Sequence, residues 1–138
     1  MRAIELMSRN PTTCTPETSL ERAAHLMETN DCGCLPVVEN ASGRVIGVVT
    51  DRDIALRAVG HGKPPQSLVG DIMSVEPSCC HAVDDIETVQ RIMAERQVRR
   101  VPVVDEEGVC VGIIAQADLA WNERLSDVGE LVREVSRE

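Results

Sequence analysis

Phenylalanine and tyrosine are absent from the 138 residues, and Trp121 is the one large aromatic ring. Any core must be assembled from Val, Ile, Leu, Met, Ala and Cys, and a planar ligand would rest between aliphatic side chains and not on stacked rings. Positive charge is thin as well: Lys and Arg number 14 against 23 Asp and Glu, Lys63 is the sole lysine, and the formal net charge is -9. That balance repels phosphodiester backbones and leaves no basic stripe, so no nucleic-acid partner is expected. An anionic small molecule stays open where arginines converge, because the guanidinium fork matches carboxylate and phosphate oxygens. Long apolar runs are missing too. No stretch approaches the roughly 18 residues of a membrane span, and no early segment carries a leader pattern. The expectation is a soluble, cytoplasmic chain with no membrane partner.

Six cysteines, Cys14, Cys32, Cys34, Cys79, Cys80 and Cys110, are present. In a cytosolic chain with enough aliphatic core they read as reduced, partly buried thiols. Zinc is a weak alternative, because "CGC" at 32–34 and "CCH" at 79–81 lack the usual two-residue knuckle spacing. Thiol-redox chemistry at Cys32 and Cys34 has no neighbouring basic residue to lower a thiol pKa.

The chain is internally duplicated. Met7-Ser8, Pro11 and Cys14 recur as Met73-Ser74, Pro77 and Cys80, and "LPVV" at 35–38 returns as "VPVV" at 101–104. After one extra residue in the first copy's turn, "GVVTDRDI" at 47–54 matches "GIIAQADL" at 112–119. Thr18 with Glu21, and Asp84 with Glu87, fit capping boxes that start equivalent helices. Behind them Leu20, Ala23, Ala24 and Met27, and Ile86, Val89 and Met93, form apolar stripes at helical spacing. Two β-branched runs then follow in each copy, separated by a glycine turn, as antiparallel hairpins. The fold expected is α/β (α+β), two β-α-β-β-α repeats packed through their sheets with pseudo-twofold symmetry. The divisions are repeat 1 at 1–60, a linker at 61–70, repeat 2 at 71–121 and a helical extension at 122–138. From the end of repeat 2 through that extension, Trp121, Leu125, Val128, Val132 and Val135 follow a coiled-coil spacing that suits packing on its own module or a dimer seam.

A tandem pair with "MS", a helix, "PVV", a turn glycine and then "GVVTDRDI" resembles a pair of cystathionine β-synthase (CBS) domains, over nearly all of residues 2–121. The resemblance implies a Bateman module whose clefts commonly bind adenosine-containing ligands and whose modules often pair, here as a homodimer. It implies that Asp53 accepts ribose hydroxyls, that Thr50 bonds ribose or phosphate, and that backbone at Cys34, Leu35 and Pro36 meets the adenine. Asp118 is the equivalent ribose acceptor in the second copy, where Ala115 replaces the threonine. Arg52, Arg99 and Arg100 are candidate phosphate contacts, or else solvated surface charges.

A plainer reading stands beside the ligand: Thr50 and Asp53 also fit a helix-capping pair. Retention of Asp118 after loss of the threonine counts against capping as the motif's whole purpose. No catalytic set is present, so the functional expectation is a non-enzymatic sensor of AMP, ADP, ATP or a related compound, acting on an unknown regulated protein. A ligand-free dimerisation module is the alternative.

Overall fold

The duplicated β-branched runs form two matched hairpins in the computed structural model, which describes residues 1–123. In chain order the elements are α1 (Ala3–Leu6), β1 (Ser8–Arg9), α2 (Leu20–Thr29), β2 (Cys34–Val38), β3 (Val45–Thr50) and α3 (Asp51–Asp53). They continue with β4 (Ser74–Val75), β5 (Cys80–His81), α4 (Ile86–Arg96), β6 (Arg100–Val104), β7 (Cys110–Ala115) and a final helix over 116–123.

Cys34 lies opposite Thr50 in the first hairpin and Arg100 opposite Ala115 in the second, and both hairpins shift register at the same place, after Val37 and after Val103. At their tips Gly43 and Gly108 hold φ of 75° and 83°, a left-handed turn that glycine adopts without a Cβ penalty. The tips bond to one another: the Val45 N–H donates to the Gly108 carbonyl at 3.1 Å and the Cys110 N–H to the Gly43 carbonyl at 3.2 Å. This reciprocal pair marks the pseudo-twofold axis.

The repeats do not complete their own sheets. β1 pairs with β7 of the second copy, and β4 pairs with β3 of the first, each antiparallel and in equivalent register. Ala3 accordingly belongs to the core of Ile86, Val89, Met93, Val101, Val103 and Ile114, while Val69 and Ile72 belong to the core of Leu20, Met27, Leu35, Val37 and Val49. Gly47 and Gly112 recur because of this exchange. A Cβ on Gly47 would sit 2.8 Å from the Met73 sulfur and 2.9 Å from the Ser74 carbonyl oxygen, and one on Gly112 would collide with the Met7 sulfur. The repeated Met-Ser pair is the other half of that contact.

Both helix starts lie one residue beyond the expected caps. Ser19 is the N-cap of α2 and accepts the Arg22 N–H at 3.0 Å, and Asp85 is the N-cap of α4. Thr18 and Asp84 instead close the preceding turns, accepting the N–H groups of Thr15 at 3.0 Å and His81 at 2.8 Å. A cap-competent residue stands at both positions in each copy, and the tighter turn takes the first. Of the expected stripe on α2, Leu20, Ala23 and Met27 are buried, whereas Ala24 faces solvent.

After α3 the chain continues as a π-helix, Ile54–Ala58, and a 3-10 turn, Val59–His61, ending at Gly62 with φ of 71°. Of the apolar series from Trp121, that residue is 61% exposed, and Leu125 onward lies outside the described residues. Among the described residues no helix is long and apolar enough to cross a membrane.

Candidate functional site

The end of β3 turns into α3 through a complete capping box. Thr50 Oγ1 accepts the Asp53 N–H at 3.0 Å, and Asp53 Oδ2 accepts the Thr50 N–H at 3.0 Å. The other Asp53 oxygen is 3.8 Å from Arg57 Nε. Arg57 also donates to the Ile72 carbonyl at 3.3 Å, tying the carboxylate to the segment that leads into β4. The Asp53 side chain is 16% exposed, so it is held in place yet still reaches the surface.

Above this turn lies a cavity of about 430 Å³. Cys34, Thr50, Arg52 and Asp53 line it from the first copy, and Arg99, Arg100 and Pro102 from the second. The turn from Ser74 to Ser78 closes one side. Six of the nine residues expected at a ligand site thus converge in one cleft. Leu35 is fully buried in the first core, and neither it nor Pro36 lines the cleft. The Ser74–Ser78 wall was not anticipated, although the repeated Met-Ser-x-x-Pro pattern was its visible signal.

Asp118 lies in the pseudo-symmetric cleft, a cavity of about 440 Å³ lined also by Arg9, Cys32, Cys34, Arg100 and Ala115. Its Oδ2 accepts the Ala115 N–H at 2.9 Å. The carboxylate therefore keeps its bond to the turn without any hydroxyl at 115. Retention of Asp118 is explained by local structure alone, and the asymmetry does not count against capping. A larger cavity of about 590 Å³ lies between α4 and the final helix, with Arg99 at its edge, and includes neither motif carboxylate.

Burial shields the thiols of Cys14, Cys34, Cys79, Cys80 and Cys110. Burial pushes Cys34 up to about 12, opposed in part by the Arg100 guanidinium, and pushes Cys80 up to about 12. Burial likewise raises Cys14 to about 11 and Cys79 to about 11. Cys34 is thus a protonated wall of the cleft at neutral pH, the opposite of the thiolate that redox chemistry needs. Among the described residues no group of three or more His, Cys, Asp or Glu side chains is placed to hold a metal ion.

Two copies of one α+β unit, exchanging their first strands and enclosing two equivalent clefts, define a tandem-repeat module. The chain belongs to the CBS domain family, whose model matches residues 3–60 and 69–122. It is 38% identical over 119 residues to the CBS domain-containing protein YhcV of Bacillus subtilis (strain 168), covering 86% of this chain and 83% of that protein. The crystal structure of Hypoxic Response Protein I with two coordinated zinc ions is similar at TM-score 0.80 and 32% identity, covering 87% of this chain and 97% of that one. The CBS domain protein PAE2072 from Pyrobaculum aerophilum, complexed with AMP, is similar at TM-score 0.80 and 26% identity, covering 86% of this chain and 90% of its own.

Proposed function

We propose that this protein is a non-enzymatic regulatory module that takes an adenosine-containing ligand in the cleft at Thr50 and Asp53 and modulates a partner protein when loaded. The observation that carries the reading is the meeting of Thr50 and Asp53 from one copy with Arg99 and Arg100 from the other around one cavity. The chemistry suits a nucleotide. Asp53 uses one lone pair on the Thr50 N–H, and a carboxylate has about four, leaving acceptors for both hydroxyls of a ribose. The Thr50 oxygen accepts from the backbone, so its own proton is available to a ribose or phosphate oxygen. Arg52, Arg99 and Arg100 bring positive charge to this cleft in a chain whose net charge is -9.

The AMP complex of PAE2072 supports this choice of ligand class. The reading places the module in the cytoplasm as a homodimer. Leu56 and Trp121, equivalent positions on the two helices that follow the hairpins, are 53% and 61% exposed and give a second copy an apolar face. The competing reading is a ligand-free dimerisation module, favoured by one observation: the Thr50–Asp53 box is already satisfied internally.

A thermal-shift panel of adenosine, AMP, ADP, ATP and S-adenosylmethionine, followed by calorimetry, decides between them. Saturating ligand at about 100 times Kd is expected to stabilise the fold by about 2.7 kcal/mol. No shift with any adenosine compound would leave the dimerisation module standing.

A further inference from the structure

Two residues, Cys34 and Arg100, line both clefts. They are equivalents of one another, the first residues of β2 and β6, 66 positions apart. A symmetric module would set a like side chain at each position, but here one is a buried thiol and the other an exposed guanidinium. The remaining arginines are partitioned: Arg52 and Arg99 line the first cleft, and Arg9 lines the second. Among the described residues the Arg100 guanidinium makes no ion pair within 4.0 Å.

We propose that Arg100 couples the two clefts, so that anionic ligands load them with negative cooperativity while uncharged ones do not. The inference rests on the ligand reading above. A phosphate in one cleft draws the guanidinium toward it through charge-assisted hydrogen bonds. The other cleft then loses that cation, and by linkage the loss is reciprocal. Adenosine has no phosphate, leaves Arg100 unengaged, and fills each cleft at that cleft's own affinity. Phosphate level would then set how many sites are occupied, and not only how tightly one is held.

Calorimetry with AMP and with adenosine tests this on the full chain and on Asp53→Asn, which disables the first cleft while an amide oxygen still serves the Thr50 N–H. In the unmodified protein the second AMP is expected to bind weakly. In Asp53→Asn the second cleft is expected to take AMP about five- to tenfold more tightly than that second step, since Arg100 is released to it. Adding Arg100→Ala to Asp53→Asn removes the gain, and adenosine shows no gain in either variant. If the second AMP affinity is the same with and without Asp53→Asn, the coupling is overturned and the adenosine reading survives. If no adenosine compound binds the unmodified protein, that reading falls and the coupling falls with it.

Discussion

At Thr50 the chain closes both halves of a capping box and at Ala115 only one, yet the two carboxylates are held alike, at 3.0 and 2.9 Å from equivalent backbone N–H groups. Placement of the aspartate is therefore a property of the turn, inherited by both copies. The hydroxyl is the part that differs. Around these turns the sequence differs as well: Arg57 leans on Asp53, whereas the equivalent position in the second copy is Asn122. Duplication preserved the frame and left the edges of the clefts free to diverge.

The largest effect expected is on ligand binding. Asp53→Asn keeps an acceptor for the Thr50 N–H but removes the charge offered to ribose, and a charged hydrogen bond contributes about 1.5 to 3 kcal/mol, or roughly 10- to 100-fold in affinity. Asp118→Asn is expected to leave the tighter AMP site nearly unchanged in calorimetry. Equal losses from the two would erase the distinction between the clefts.

Next come the glycines beneath the exchanged strands. Gly47→Ala and Gly112→Ala each drive a methyl group into a methionine sulfur and a backbone carbonyl. Overpacking of this kind costs about 1 to 3 kcal/mol, and the two melting temperatures should fall by similar amounts. A much smaller drop for one of them would show that the strand exchange is firm on one side only.

Ala115→Thr makes the second turn like the first. The new hydroxyl has the Asp118 N–H to accept, as Thr50 Oγ1 accepts that of Asp53. A gain of about 1 kcal/mol is expected, visible as a melting temperature roughly 2–4 °C higher.

The last effect is confined to alkaline pH. The folded chain keeps thiol protons at Cys14 and Cys80, raised to about 11 and about 12, that an unfolded chain releases above the ordinary value near 9.0. Stability from burying the neutral thiols is complete below that value and falls as pH rises through the 9–12 window, where the unfolded state holds fewer protons. Cys14 and Cys80 are equivalent positions, so Cys14→Ala and Cys80→Ala should each flatten the decline in melting temperature between pH 8.5 and 10.5. Flattening by only one of them would separate the two cores.

The sequence made the hairpins, the helices and the duplication legible because their signals are periodic and local: β-branched runs, apolar stripes and matched glycines. Cap positions were displaced by one because Thr18–Ser19 and Asp84–Asp85 each offer two adjacent acceptors, and only the folded turn chooses between them. β1 and β4, at two residues apiece, are too short to show any alternation, and nothing local says which sheet they join. The candidate site divided along the same line. Thr50, Asp53 and the arginines stood out as residue types, but the Ser74–Ser78 wall and the double exposure of Arg100 depend on where the chain crosses itself.

That crossing sets the order of events during synthesis. β1 leaves the ribosome about a hundred residues ahead of β7, its sheet partner among the described residues. At about 5–20 residues per second the wait is roughly 5 to 20 s. Through that interval Ala3, Leu6 and Met7 have no core to enter, because the core that receives them has not been made. The first hairpin waits too, for β4 and for Val69 and Ile72, but over a much shorter stretch of chain. The nascent protein thus closes its first core from behind and its second from in front, and a chain arrested before residue 110 carries an unpaired strand ready to join another copy.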